Sequence, residues 1–197
     1  MIKYLCVFCG SSLGLQSIYS DQAKQLGTLL SSRKIALVYG GANVGLMQVL
    51  ADTVLNLGGH VIGVMPKSLV EREVAHKNLT EMHIVSDMQE RKAMMADLSD
   101  AFIALPGAFG TLDELFEVLT WVQLGIIHKP IGLLNTDGYF NTLLNMLDHA
   151  VQQKFLRPEH RNILQVDDNI EHLLEKLETY QPVVAEKWID RLKQGKI

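Results

Sequence analysis

Asp100-Ala-Phe-Ile-Ala-Leu-Pro-Gly-Ala-Phe-Gly-Thr-Leu-Asp-Glu114 is the stretch that decides the fold. Its apolar run, residues 101–105, is typical of a strand that is buried on both faces. Pro106 to Gly110 form a glycine-rich turn, and the apolar spacing after it predicts a helix over about 111–125. Where a strand is followed by a glycine turn and then by a helix, the backbone N–H groups and the positive end of the helix dipole face the same place. Such a spot favours an anion, most often a phosphate.

The same turn has an alternative interpretation that needs no ligand. Thr111 with Glu114 three residues later is the pattern of a capping box. If that interpretation holds, Glu114→Ala costs about 1 kcal/mol of stability through the lost cap. Gly107 and Gly110 favour a ligand site, because they leave room for a ligand to approach the main chain. We therefore expect a ligand site and keep the cap as the alternative.

Length, charge and composition limit the classes of protein to which this chain can belong. A chain of 197 residues suits a single domain, 1–197, with a sizeable core. The formal net charge of −4 and the lack of a basic run argue against a nucleic-acid surface. No N-terminal signal pattern is present, and no apolar run approaches about 18 residues. We therefore expect a cytoplasmic protein that does not enter a membrane.

The two cysteines and seven histidines do not indicate a metal site. Cys6 and Cys9 form a C-x-x-C along a predicted strand, where side chains three residues apart face opposite sides. A redox pair belongs at a helix start and a zinc site needs further ligands nearby, so buried reduced thiols are favoured. The histidines show no paired ligand spacing, and no metal is expected.

Strands and helices alternate along the rest of the chain. Strands are predicted over about 3–9, 35–39, 60–65, 83–86, 101–105, 130–134 and 163–166. Helices are predicted over about 17–33, 46–57, 111–125, 139–153, 169–179 and 184–194, with one more helix capped by Asp87 and Glu90. This order predicts an α/β fold with a doubly wound, mostly parallel, modified Rossmann-like sheet. Ligands collect at the carboxyl ends of such strands, where three glycine turns fall. Residues 66–81 are expected to be irregular, and the last helix is expected to pack on the domain or on a partner subunit.

Two further features concern the site. The turn Gly40–Met47 has the glycine spacing of a nucleoside-triphosphate loop, but Leu46 and Met47 stand where Lys and Ser/Thr are needed. Neither an ATPase nor a dinucleotide fingerprint is therefore indicated. Arg91 lies on the apolar stripe of its helix, where it would need an anionic partner. An arginine that extends outward or pairs with Asp87 is an equally open alternative.

Three stretches together resemble the Lonely guy family of cytokinin-activating phosphoribohydrolases, many of whose bacterial members carry an older label, lysine decarboxylase. They are Gly40-Gly41-x-x-x-Gly45-Leu46-Met47, Arg91-Lys92-x-x-Met95 and Pro106-Gly-x-x-Gly-Thr-x-x-Glu114. This chain has Ala108 where the family has a second glycine. Its methyl group is expected to crowd a phosphate or to disfavour a positive φ.

The resemblance implies an enzyme that hydrolyses a purine riboside 5′-monophosphate to free base and ribose 5-phosphate, without a cofactor, as a homodimer. By position, Arg91 and Glu114 match the family's catalytic pair. The positions that match substrate contacts are Glu73, Lys92, Gly107, Ala108, Phe109, Gly110, Thr111, Thr120, Gly41 and Met47. The alternatives are a general AMP nucleosidase, a non-catalytic nucleotide carrier and a pyridoxal-phosphate decarboxylase.

Glycosidic cleavage is consistent with these residue types. Breaking the bond builds positive charge on the ribose, so a carboxylate beside C1′ would stabilise the transition state or orient water. Glu114 is the candidate for that role, and we expect it to point towards the ribose and not the phosphate. Arg91 would offset negative charge on the departing base or on the phosphate.

Overall fold

The sheet of the molecule has seven strands within the described part of the chain. The computed structural model describes residues 1–71 and 75–182. The strands are β1 Tyr4–Phe8, β2 Ala36–Tyr39, β3 Val61–Pro66, β4 Glu81–Val85, β5 Ala101–Ala104, β6 Ile131–Leu134 and β7 Leu164–Asp167. They lie in the order β4-β3-β2-β1-β5-β6-β7, and all pairings between them are parallel. The predicted α/β Rossmann-like class is confirmed, with a sheet that is fully parallel.

Eight α-helices connect or flank these strands in the described residues. They are α1 Ser17–Arg33, α2 Gly45–Asn56, α3 Lys67–Val70, α4 Met88–Leu98, α5 Phe109–Gln123, α6 Asn141–Gln152, α7 Pro158–Arg161 and α8 Ile170–Glu178. Buried residues of α1, α2 and α8 pack on one face of the sheet, and those of α4 and α5 pack on the other. Two helical layers therefore cover the sheet, which explains why the inner strands β2, β3, β5 and β6 are almost continuously apolar.

The cysteines follow the alternation of β1. Cys6 belongs to the apolar cluster with α4 and α5, whereas Cys9 belongs to the cluster with α1 and α2. Both are free and buried, as predicted. Burial raises the pKa of both thiols, so both remain in the unreactive thiol form.

Helix α4 is capped as predicted. The Asp87 carboxylate accepts hydrogen bonds from the backbone N–H groups of Gln89 and Glu90, at 2.9 and 2.8 Å. The Glu90 carboxylate accepts one from the Ser86 N–H at 2.8 Å. The start of α4 is thereby fixed.

The alternative interpretation of the start of α5, a capping box, is wrong. The helix begins at Phe109, its N-cap residue is Ala108, and no side chain caps it. Thr111 is therefore inside the first turn, and both Thr111 and Glu114 are buried. The N–H groups at this helix start have no side-chain acceptor, and the expected loss of about 1 kcal/mol from an abolished cap no longer applies.

The other differences are short elements. Residues 66–81 contain the four-residue helix α3, and β4 begins at Glu81, two residues before the predicted start. A 3₁₀ turn over Thr136–Gly138 and the helix α7 were not predicted. The predicted helix over 184–194 lies outside the described residues. No helix in the described ranges is long and apolar enough to cross a membrane.

Candidate active site

Three glycine turns meet at the carboxyl ends of β1, β2 and β5. The N–H of Gly10 donates to the carbonyl of Pro106 at 3.0 Å, and the N–H of Leu46 donates to the carbonyl of Gly10 at 3.0 Å. Gly45 has a φ of +56°, and a Cβ there would overlap the main chain of Ser11 and Ser12. The floor of the cleft between these turns is therefore built from main chain that is bonded to main chain.

The cleft above this floor has the size of a small-molecule site. Its volume is about 360 Å³, and small-molecule pockets commonly have volumes of about 300–1,000 Å³. Arg91 and Glu114 lie in its wall, together with the turn that begins at Pro106. Leu13, Met65 and Leu69 add an apolar side. One cleft thus combines a charged pair, a helix start and an apolar wall.

The turn before α5 has the features of an anion cradle. At Gly107, a Cβ would overlap the Thr111 hydroxyl oxygen, so only glycine fits there. At Gly110, a Cβ would meet no protein atom within 4 Å, so the space beside this residue in the first turn of the helix is open. Uncapped N–H groups that face open space at a helix start favour an anion.

Ala108 does not strain this turn. Its φ is −112°, a value that an alanine adopts readily. The expected conflict with a positive φ is therefore wrong. The side chain is exposed and lies in the cleft lining, so the extra methyl group acts through the space it occupies.

The second feature is a buried ion pair between α4 and α5. Arg91 Nη1 lies 3.0 Å from Glu114 Oε1, and each side chain is only 10% exposed. Arg91 Nε also donates to the carbonyl of Val64 at 3.0 Å. The question left open by the sequence is thus answered: the arginine faces inward, and its partner is Glu114 and not Asp87.

Gly40 is required by this arginine. A Cβ at Gly40 would overlap Nη2 of Arg91 and would lie 3.1 Å from its Cζ. The turn after β2 therefore lies close against the guanidinium. Together with Val64 and Glu114, it defines the slot in which Arg91 is held.

The electrostatics of Glu114 reflect its burial. Loss of solvent raises the pKa of its carboxyl, and the neighbouring Arg91 only partly offsets that increase. Asp113, the next residue along the helix, raises it further. A carboxyl with a raised pKa in a cleft beside a cation is a frequent property of catalytic groups.

The structure brings seven of the predicted site residues to this cleft. They are Met47, Arg91, Gly107, Ala108, Gly110, Thr111 and Glu114. Four others lie outside its lining, and Glu73 lies outside the described residues. Lys92 Nζ pairs with Asp113 at 3.0 Å and Glu117 at 3.1 Å.

The remaining three residues have other surroundings. Phe109 and Thr120 line a shallow surface along α5, where the Phe109 side chain is 91% exposed and the Thr120 hydroxyl donates to the carbonyl of Phe116. Gly41 follows the Gly40 turn, and its carbonyl accepts the N–H of His76 at 2.8 Å.

Sequence reasoning missed two aromatic residues of the cleft. The Tyr139 hydroxyl donates to the carbonyl of Gly107 at 2.8 Å, which fixes one peptide of the anion cradle. The Tyr19 ring meets the Tyr139 ring edge-on, with centroids 5.7 Å apart. Tyr139 follows β6 at the carboxyl edge of the sheet, so the rule that ligands collect at this edge was the signal for it.

The donor set favours an organic anion over a metal ion. Among the described residues, no group of three or more His, Cys, Asp and Glu side chains could hold a metal. The described cleft lining also contains no lysine. Backbone N–H groups, a hydroxyl and a carboxylate–guanidinium pair can bind a phosphate and act on a bond a few ångströms from it.

Known proteins resemble this chain in sequence and in fold. The family model described as "Possible lysine decarboxylase" matches residues 47–177. The cytokinin riboside 5′-monophosphate phosphoribohydrolase LOG1 of Arabidopsis thaliana is 53% identical over 180 residues, which cover 91% of this chain and 84% of LOG1. LOG3 of the same plant is 52% identical over 180 residues, with the same coverage of both chains.

Solved structures share the fold at lower identity. A molybdenum cofactor binding protein from Rippkaea orientalis superposes with a TM-score of 0.69 at 22% identity, over 91% of this chain and 97% of its own. The molybdenum cofactor carrier protein from Chlamydomonas reinhardtii gives 0.66 at 17% identity, over 91% and 100%. These likenesses concern the fold, whereas the plant relatives match in sequence over most of both chains. The chain therefore belongs to the Lonely guy family.

Proposed function

We propose that this chain hydrolyses the N-glycosidic bond of cytokinin riboside 5′-monophosphates, the activity that gives its plant relatives their names. The products are the free base and ribose 5-phosphate. The observation that carries the proposal is the buried Arg91–Glu114 pair beside the open helix start of α5. Binding a phosphate alone needs no carboxylate at that place.

The cleft supplies a role for each group. N–H groups of residues 107–111 and the start of α5 hold the 5′-phosphate. Glu114, one turn further into the helix, is then available to the ribose, where it stabilises the developing cation or orients the attacking water. Arg91 favours the ionised form of this carboxylate and offsets negative charge on the base as it departs.

A nucleotide carrier without turnover is the second candidate. Two structures with this fold belong to a cofactor-binding and a cofactor carrier protein, which shows that the fold also serves carriers. The Arg91–Glu114 pair argues for the enzyme. A general AMP nucleosidase is a variant of the same chemistry with a less selective base pocket.

The test is incubation of the purified protein with AMP and, separately, with its N6-prenylated analogue. We expect free base and ribose 5-phosphate in equal amounts, measured by chromatography. Faster release from the prenylated nucleotide supports the cytokinin substrate, and equal rates support the general nucleosidase. Tight binding of both nucleotides without release of base from either would contradict the enzyme and support the carrier.

Amino-acid decarboxylation is less well supported. That reaction ordinarily uses a lysine Schiff base with pyridoxal phosphate. Lys92 is the lysine that the sequence places nearest the site, and its ammonium is paired with Asp113 and Glu117 outside the cleft lining. A phosphoribohydrolase uses the groups that do line the cleft.

The acid limb of the pH–rate profile is a further prediction. Catalysis needs Glu114 ionised, so kcat/KM should fall when the pH is lowered through the pKa of this carboxyl. Because that pKa is raised, the fall should begin at a higher pH than it would for an ordinary glutamic acid, whose pKa is about 4.3. The substrate phosphate also titrates, with a pKa of about 6. The nucleotide affinity of the Glu114→Gln variant, measured over the same pH range, shows how much of the fall is due to protonation of the substrate phosphate. A fall that coincides entirely with the loss of affinity would contradict the role of Glu114.

We also propose a homodimer in the cytoplasm that acts on a small molecule. The homodimer is supported by the apolar surface along α5, where Phe109 is 91% and Phe116 36% exposed. This surface also contains Thr120, one of the predicted substrate contacts that lie outside the cleft.

The location in the cytoplasm is supported by the free thiols, and the small-molecule substrate is supported by the net charge of −4.

A further inference from the structure

We infer that His76 and Asp52 form a positioning pair that holds the Gly40–Gly41 turn against Arg91. The inference rests on the proposed function, because it concerns the geometry of the same catalytic pair. His76 Nε2 lies 3.0 Å from Asp52 Oδ1, on α2, and the histidine side chain is only 4% exposed. Neither residue lines the cleft, so both act through other groups.

The hydrogen bonds of His76 fix its protonation. The N–H of Asn78 donates to His76 Nδ1 at 3.2 Å, so Nδ1 carries a lone pair and no proton. The ring is therefore neutral with its proton on Nε2, which donates to the Asp52 carboxylate. Each ring nitrogen has one partner. The ring is therefore held between Asp52 on α2 and Asn78 in the segment that leads from His76 to β4.

This locked ring holds a backbone bond to the site. The N–H of His76 donates to the carbonyl of Gly41 at 2.8 Å. The neighbouring residues Ala75 and Ala42 form an isolated antiparallel bridge. The segment that begins at Ala75 is thus attached to the turn after β2 by paired main chain, and the side chain of His76 anchors that segment to α2.

Packing against β3 adds a second constraint. A Cβ at Gly63 would overlap a methyl group of Leu79 and would lie 2.9 Å from the Cα of Gly41. The turn is therefore held between β3 and the His76 segment. On its other side, Gly40 lies in contact with the Arg91 guanidinium. A shift of the turn would change the slot in which Arg91 meets Glu114.

His76→Ala should lower kcat about tenfold to a hundredfold, the effect of displacing a catalytic group by a fraction of an ångström to about one ångström. KM should change less than about threefold, since residues 107–111 hold the phosphate independently. Val54→Ala is the matched control, because Val54 is a fully buried apolar residue on the same helix as Asp52 and lies outside the cleft lining. It should lower stability and leave kcat unchanged.

Variants of Asp52 test the assigned proton. Asp52→Asn keeps an oxygen that accepts from Nε2–H and should retain kcat within about twofold, because a neutral ring needs only an acceptor. Asp52→Ala removes the acceptor and should lower kcat in the same direction as His76→Ala. A kcat for His76→Ala equal to that of Val54→Ala would overturn the inference, as would a large loss in Asp52→Asn.

A spectroscopic measurement separates this inference from the proposed function. In ¹⁵N-labelled protein, long-range ¹⁵N–¹H spectra should show His76 as the Nε2–H tautomer, and the Arg91 Nε–H resonance should move in His76→Ala but not in Val54→Ala. Both signals are independent of turnover. If the wild-type protein cleaves no nucleotide, the proposed function is overturned and the positioning pair is not. If the Arg91 Nε–H resonance does not move in His76→Ala, the positioning pair is overturned.

Discussion

Glu114→Gln is expected to lower kcat by about 10²–10⁴-fold, the usual contribution of a positioned acid or base. The glutamine keeps the shape of the side chain and can still accept a hydrogen bond from Arg91. It lacks the negative charge that would stabilise a cationic ribose. Nucleotide affinity should stay within about threefold of the wild-type value, because the phosphate is held by the main chain of residues 107–111.

The measurements are steady-state hydrolysis and calorimetric binding of the same nucleotide. Asp113→Asn is the matched control, since Asp113 is the adjacent carboxylate on α5, is 60% exposed and pairs with Lys92 outside the cleft lining. It removes an equal charge one residue away and should keep wild-type kcat. Normal turnover in Glu114→Gln, or equal losses in both variants, would show that Glu114 has no catalytic role.

Arg91→Met should remove both stability and activity. It leaves the Glu114 carboxylate buried without its cation, and breaking such a pair commonly costs about 3–5 kcal/mol. Turnover should fall by at least about 10²-fold, the scale of losing one preorganised charge. Arg91→Lys should be nearly as inactive, because one ammonium cannot reach the Val64 carbonyl and Glu114 with the geometry of the guanidinium fork.

The double variant Arg91→Met/Glu114→Gln distinguishes the two losses. It contains no unpaired buried charge, so it should regain most of the unfolding free energy lost in Arg91→Met. Its activity should not recover at all. Chemical unfolding measures the first effect and single-turnover cleavage the second. Additive stability losses in the double variant would mean that the two side chains do not act as a pair.

Local patterns in the sequence were enough to predict the layers of the fold. Helix α1 was predicted with its observed ends, and β2, β5, β6 and β7 each end or begin within a residue or so of their predicted bounds. Alternation of apolar strands with amphipathic helices determines these elements, and the parallel order follows from it. The short helices α3 and α7 were missed because four residues contain too little periodicity to be recognised.

Contacts between distant residues were less accessible. The stripe on α4 left open whether Arg91 faces inward or pairs with Asp87, because its actual partner lies on another helix, 23 positions later, and no local pattern joins them. The Thr111–Glu114 spacing was a misleading signal, since burial of both side chains outweighed the cap. His76 and Asp52 carried no signal at all, because their pairing depends on where the segment that begins at Ala75 meets α2.

The main-chain floor of the cleft has an evolutionary consequence. Its bonds join peptide groups and not side chains, so most substitutions leave the floor unchanged as long as its few obligatory glycines remain. Solved structures that share only about a fifth of their residues with this chain have the same fold. The chemistry of such a site can therefore change through the side chains on its rim while the floor beneath them stays the same.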